Sequence, residues 1–260
     1  MRLVPHVLFL LVFGLTAVPA EEHAPPASTP AESPAAAAPG HGSGAAHPAD
    51  SAHGAASAPG VVTADGAISL NNIQALQKLM EGNARYVAGK TIHPHQDSAR
   101  RAEIAKGQKP FAIVLTCADS RVPPEILFDQ GLGDIFVLRV AGNVADDDVQ
   151  ASIEYAVEHL GANLILVLGH ERCGAVGAAL AGGELPGHLP GLIDRIKPAV
   201  MSSRGQPGDA LDNAVSANAR LVATQLRTSR PLLMPLATRG SLAVLAARLD
   251  LDSGQVDILW

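Results

Sequence analysis

Three short, unbroken apolar runs do most to limit the folds open to this chain: Phe111-Ala112-Ile113-Val114-Leu115-Thr116, Ile135-Phe136-Val137-Leu138 and Leu164-Ile165-Leu166-Val167-Leu168. None alternates apolar with polar residues, so each is expected to be buried on both faces, as interior strands of a parallel sheet are. Between the second and third runs, Val149 to Leu160 carries helical spacing and closes on Gly161. A second amphipathic pattern starts at Ser69, with Leu70, Ile73, Leu76, Leu79 and Met80 on one stripe, Asn71 and Asn72 near its start and Gly82 interrupting later. Leu192 to Val200 and Ala214 to Thr228 also read as helices, parted by a Gly/Pro/Ser loop. Leu242 to Leu251, a Ser-Gly turn and Gln255 to Trp260 form an expected terminal hairpin. The predicted fold is α/β: a mainly parallel β-sheet flanked by helices, with an N-terminal helical arm and a C-terminal antiparallel hairpin.

The amino terminus reads differently. Arg2, the apolar run Val7 to Leu15 and the small-residue exit at Val18-Pro19-Ala20 match a secretory signal, so residues 1–20 are expected to be removed. That apolar run is shorter than the roughly 20 residues needed to cross a bilayer, so no stable membrane anchor is expected after cleavage. Residues 21–67 are rich in Ala, Pro, Gly, Ser and His and are expected to be a disordered linker, leaving 68–260 as the folded domain. His23, His41, His47 and His53 fall in that linker at irregular spacing, which favours compositional drift over a preformed metal site. Export is the expected localisation, periplasmic or else fully secreted.

Charge and cysteine content exclude whole classes. The formal net charge is -6, and no Lys or Arg occurs between Arg2 and Lys78, which argues against a nucleic-acid or anionic-lipid partner. Apolar residues make up 47% of the chain but aromatics only 3%, so the core must be aliphatic. Two cysteines, Cys117 and Cys173, are too few for a disulfide-framed mini-protein.

Ligands of parallel α/β sheets collect at the carboxyl ends of the strands. The first apolar run ends in Cys117-Ala118-Asp119-Ser120-Arg121, and the third in Gly169-His170-Glu171-Arg172-Cys173-Gly174. If the two strands are neighbours, Cys117, His170 and Cys173 converge as two sulfurs and an imidazole, three ligands with one open position, as at catalytic zinc. Asp119 could close the fourth position; Arg121, two residues on, could instead hold its carboxylate away in a bidentate pair and leave the position to water. Taken singly, each residue has a plainer explanation. The cysteines suit a structural disulfide in an exported protein, His170 a buried hydrogen-bonded histidine, and Asp119 with Arg121 a structural ion pair. All five fall within two strand-end segments, and that coincidence favours the metal reading.

These segments carry a resemblance. Cys117 to Glu125, Gly133 to Val137, Arg139 to Asn143 and the His-x-x-Cys-Gly of His170 to Gly174 together resemble the β-class carbonic anhydrases. The likeness runs from about Leu70 to Leu259 and takes in Glu81-Gly82-Asn83 and Asp250 to Gly254. It implies one Zn2+ per chain bound by Cys117, His170 and Cys173, with Asp119 and Arg121 as the catalytic dyad. It implies reversible hydration of carbon dioxide to bicarbonate and a proton by zinc-bound hydroxide, and a homodimer or dimer of dimers with active sites at the subunit boundary. Activity is expected to rise toward alkaline pH, because two thiolates acidify bound water less than an all-histidine set. Members with a bicarbonate switch resemble one another in a Trp and a Tyr where this chain has Val114 and Leu249, leaving only Arg139 to match, so that switch is not expected here. Carbon disulfide or carbonyl sulfide would use the same ligands. A non-catalytic zinc-binding protein, by contrast, would have no need of Asp119 and Arg121.

Overall fold

The computed structural model describes residues 61–62 and 68–260, with side chains from Leu70 onward. The signal segment 1–20 and the linker other than Val61–Val62 lie outside the described residues. Val61–Val62 (β1) pairs antiparallel with Ile68–Ser69 (β2). The elements that follow are α1 (Asn72–Val87), α2 (Ser98–Ile104), β3 (Ala112–Thr116), α3 (Pro124–Leu127), β4 (Ile135–Arg139), α4 (Asp147–Leu160) and β5 (Leu164–His170). They continue with α5 (Gly174–Ala181), α6 (Leu189–Ser203), α7 (Ala210–Arg227), α8 (Leu233–Thr238), β6 (Ala243–Leu249) and β7 (Val256–Leu259).

The main sheet has the order β4-β3-β5-β6-β7. β3 pairs parallel with both β4 and β5, β5 pairs parallel with β6, and only β7 runs antiparallel. Every residue of β3 and β5 is buried, as expected from their unbroken apolar runs, but β4, expected to be buried too, is an edge strand paired only with β3, and of its residues only Ile135 is buried. The pleat divides the residues of β3 and β5 between two faces. Ile113, Leu115, Ile165 and Val167 join α4, α7 and α8 in one cluster, while Ala112, Val114, Leu164 and Leu166 join α1 and the α3 region in another. A third cluster gathers α5 and α6 over the carboxyl ends of the strands and includes Cys117 and Cys173.

Helix boundaries follow local chemistry. Asn71 caps α1 through a capping box, accepting from the Ile73 and Gln74 N–H groups while the Gln74 side chain accepts from the Asn71 N–H. Asp146 caps α4, which ends at Gly161 with φ 75, as the sequence anticipates. Gly82 does not interrupt α1, contrary to expectation. The helix runs on to Val87, and the glycine is there because a Cβ would lie 1.7 Å from the Phe128 carbonyl oxygen. The neighbouring Asn83, buried, donates to the carbonyls of Leu127 and Gly254 and accepts from the Val256 N–H, tying α1 to α3 and to the terminal hairpin. That hairpin is wider than a two-residue Ser-Gly turn: Asp250 and Gln255 close the loop, and Asp250 Oδ1 accepts from the Asp252 and Ser253 N–H groups. β5 extends two residues beyond its apolar run, so His170 is the last residue of the strand rather than part of the following loop.

Candidate metal centre

Parallel pairing of β3 with β5, with Thr116 opposite Leu168, brings the two strand ends together. Cys117 follows β3 directly, His170 ends β5, and Cys173 occupies the N-cap position of α5. Their ligand atoms all lie within 4.8 Å of one another, and all three residues are buried. Both cysteines are free thiols in the structure.

The donor set suits a metal. His170 Nδ1 is 2.8 Å from the Glu171 carbonyl oxygen, to which it donates, so Nε2 carries the lone pair. That Nε2 is buried and has no hydrogen-bond partner, a costly state for a polar atom unless an electrophile faces it. The thiols form a coupled pair. A hydrogen bond from Cys173 is the main cause that lowers the Cys117 thiol below its ordinary range against burial, and the Gly142 N–H adds to it. The same bond, together with burial, pushes the Cys173 thiol up. Cys117 is thus the sulfur readied as a thiolate, the form that binds metal. The Gly142 N–H donates to Cys117 Sγ at 3.3 Å, and the Asn218 side chain fixes that peptide by donating to the Gly142 carbonyl at 2.7 Å. Gly142 has φ 68, and a Cβ there would lie 2.6 Å from Ile196, so both conformation and space call for glycine.

Asp119 and Arg121 make the expected bidentate pair: Arg121 Nε to Oδ1 at 2.9 Å and Nη2 to Oδ2 at 2.7 Å, with the Arg121 backbone N–H adding a third bond to Oδ1 at 3.0 Å. The guanidinium holds the Asp119 carboxyl well below the usual carboxylate range, so it is ionised at neutral pH. Asp119 Oδ2 lies 3.8 Å from His170 Nε2. It therefore borders the space between the three donors, with Arg121 taking both acceptor sites of Oδ1 and one of Oδ2, and a water could occupy the fourth position.

All five residues singled out in the sequence come together here. The sequence does not mark three other contributors as part of this cluster. Arg139 Nε donates to the Cys117 carbonyl at 3.2 Å and its Nη2 to the Asp119 carbonyl at 2.5 Å, clamping the loop on both sides of Ala118. Gly142 and Asn218 act on Cys117 from 25 and 76 residues along the chain from their respective partners. Only the finished fold makes them neighbours. Arg139 stood out in the sequence for a bicarbonate site, and a buried Asn on a helix gives no hint of its partner.

Comparison with known proteins agrees with this geometry. A family model described as carbonic anhydrase matches residues 112–256, more than half of the chain. The chain is 43% identical over 189 residues to carbonic anhydrase 2 of Mycobacterium tuberculosis, an alignment covering 71% of this chain and 91% of the relative. It is 40% identical over 192 residues to the carbonic anhydrase of Mycolicibacterium smegmatis, covering 72% and 93%. Among solved structures it resembles the Coccomyxa β-carbonic anhydrase in complex with acetazolamide, with TM-score 0.58, 29% identity and coverage of 71% and 86%. It also resembles the β-carbonic anhydrase CafA of Aspergillus fumigatus, with TM-score 0.55, 28% identity and coverage of 71% and 88%. The matched range holds both strand ends that build the cluster, and with identity and coverage this high the chain belongs to the β-class carbonic anhydrases, a family of carbonate dehydratase lyases.

Proposed function

We propose that Cys117 Sγ, His170 Nε2 and Cys173 Sγ hold one Zn2+ per chain, and that the site catalyses the reversible hydration of carbon dioxide to bicarbonate and a proton in an exported homodimer or dimer of dimers. The observation that carries this reading is the buried, unpartnered His170 Nε2 beside two sulfurs, with a pinned carboxylate at the edge of the same space. Zinc bound there supplies a Lewis acid that lowers the pKa of a water in its open position.

The chain's own residues do the rest. Asp119, held below the ordinary carboxylate range, is too weak a base to keep a proton at neutral pH. Its role is to accept a hydrogen bond at Oδ2 and so aim an oxygen lone pair at the carbon of carbon dioxide. Arg121 keeps that carboxylate ionised and turned away from the metal position through its two side-chain bonds. The Gly142 N–H stabilises the Cys117 thiolate, and the burial of all three donors keeps bulk water from competing for them. Export is supported by the signal pattern of residues 1–20 and by the long polar linker, not by the fold. Among the described residues no helix is long and apolar enough to cross a membrane.

Stopped-flow hydration of carbon dioxide by the purified chain, from about pH 6.5 to about pH 9, tests the reading when zinc is quantified on the same sample. Turnover with one zinc per chain, rising toward alkaline pH, is expected. One zinc per chain with no turnover at any pH would sink the assignment.

A further inference from the structure

We propose that Arg248 is a positioning residue for the metal centre, acting through Glu171 on the His170 imidazole; the inference rests on the Cys117, His170 and Cys173 site proposed above. His170 offers Nε2 to a metal only while the proton stays on Nδ1, where it is donated to the Glu171 carbonyl 2.8 Å away. That carbonyl lies in the turn joining β5 to α5, a turn that puts Arg172 at φ 51. A bulky residue in the left-handed region stays there only where its surroundings hold it.

The Glu171 side chain provides that hold. Its Oε1 accepts from Arg248 Nη2 at 2.6 Å, its Oε2 from the Leu251 N–H at 3.1 Å, and its own N–H donates to the Leu249 carbonyl at 3.0 Å. Arg248 sits on β6 opposite Gly169, one register step before the His170–Leu249 pair. Its Nε donates to Asp212 Oδ1, in the first turn of α7, at 2.5 Å. Arg248 and Glu171 side chains are each only 17% exposed, so their pair is shielded from salt in a way a surface pair is not. A continuous path of charge-assisted bonds therefore runs from Asp212 through Arg248 to Glu171, and the Glu171 carbonyl passes the constraint to His170. The planar guanidinium suits this bridge because it donates to two carboxylates at once. Arg172, on the same turn, lies 3.5 Å from Glu171 Oε2 but makes its short pair, at 2.9 Å, with Asp252, which is 78% exposed, and loss of that exposed contact gives the comparison.

The test follows zinc release from the loaded protein into excess 4-(2-pyridylazo)resorcinol, together with the melting temperature of the metal-free chain. Variants are Arg248→Met, Arg248→Lys, Asp212→Asn and Asp252→Asn. Arg248→Met should release zinc about tenfold faster or more, in line with the effect of removing partners of metal ligands. Arg248→Lys should recover part of the loss, Asp212→Asn should shift the rate the same way by less, and Asp252→Asn should stay within about twofold of wild type. The ligand-field bands of the cobalt-substituted Arg248→Met protein should shift, which a general loosening of the fold would not produce. Unchanged zinc release in Arg248→Met overturns the proposal. So does faster release that only tracks a fall in metal-free melting temperature with an unchanged cobalt spectrum. If Arg248→Met does not fold, Asp212→Asn decides the matter by the same two readouts. Zinc retained at one per chain in Cys117→Ser would instead overturn the site itself, separately from the role of Arg248.

Discussion

Three N–H donors pin Asp119, and a carboxylate so held does not behave like a free one. Its depressed pKa means that its contribution to stability is fully present above the unfolded value of 3.8 and is lost as pH falls through the lower folded value. Across the neutral and alkaline range Asp119 therefore does not titrate. The pH–rate profile should show one alkaline-rising limb and no limb belonging to this carboxylate, a point that stopped-flow rates down to about pH 6 will check. Asp119→Asn should keep one zinc per chain while turnover falls by about 10²-fold or more, because an amide oxygen accepts more weakly and its NH2 can present a donor instead. Zinc lost together with activity would show that Asp119 is needed to build the site. At Gly142 the expected outcome is structural: Gly142→Ala forces a Cβ toward Ile196 at φ 68 and should cost about 1–3 kcal/mol in urea unfolding.

Between elements, a partly buried ion pair fastens the segment after α1. Asp129, 2% exposed, accepts from Arg85 Nε at 2.6 Å and from the N–H groups of Ile92 and His93. Burial alone would raise its pKa, but Arg85 and the two backbone donors outweigh it and leave the group lowered. Asp129→Asn removes the carboxylate partner of a guanidinium that water still reaches and should cost about 1–3 kcal/mol at pH 7. The sign of the shift sets the pH dependence. The wild-type advantage is full above the unfolded value of 3.8 and shrinks as pH falls through the folded one, so urea midpoints of the two proteins should converge in acid. The element pattern also shows what a sequence can and cannot disclose. β3 and β5 were legible because full burial leaves an unbroken apolar run, β4 because its apolar run is equally continuous although the strand lies at the sheet edge and is only partly buried, and α4 because Gly161 ends an amphipathic stripe. α5, Gly-Ala-Val-Gly-Ala-Ala-Leu-Ala, has almost no polar face to set a period, and α2, α3 and α8 are too short to show one. The five site residues were legible because each lies within a few residues of a strand end. Arg248 and Glu171 stand 77 residues apart and meet only because β6 lies beside β5 in register, which no local pattern records.

At the scale of the whole chain, metal and fold are thermodynamically linked. Zinc that binds the native site and not the unfolded chain adds about 2.7 kcal/mol when free zinc exceeds Kd by 100-fold. Chelation should thus lower the melting temperature by about 5–10 °C, and added zinc should restore it in calorimetry. A chain lacking residues 1–60 should keep zinc stoichiometry, turnover and sedimentation coefficient class, since no described part of the site draws on them; loss of zinc from that chain would assign the histidine-rich stretch a role in loading. The position of β5 has a last consequence. It lies between β3 and β6, and 52 residues separate Thr116 from Leu168, the pair that brings the cysteine-bearing ends together. Closing such a loop costs about 3.5 kcal/mol of chain entropy before any contact repays it. A folding chain therefore has no coordination pocket until β3 and β5 have paired, and metal uptake reports that the centre of the sheet has formed.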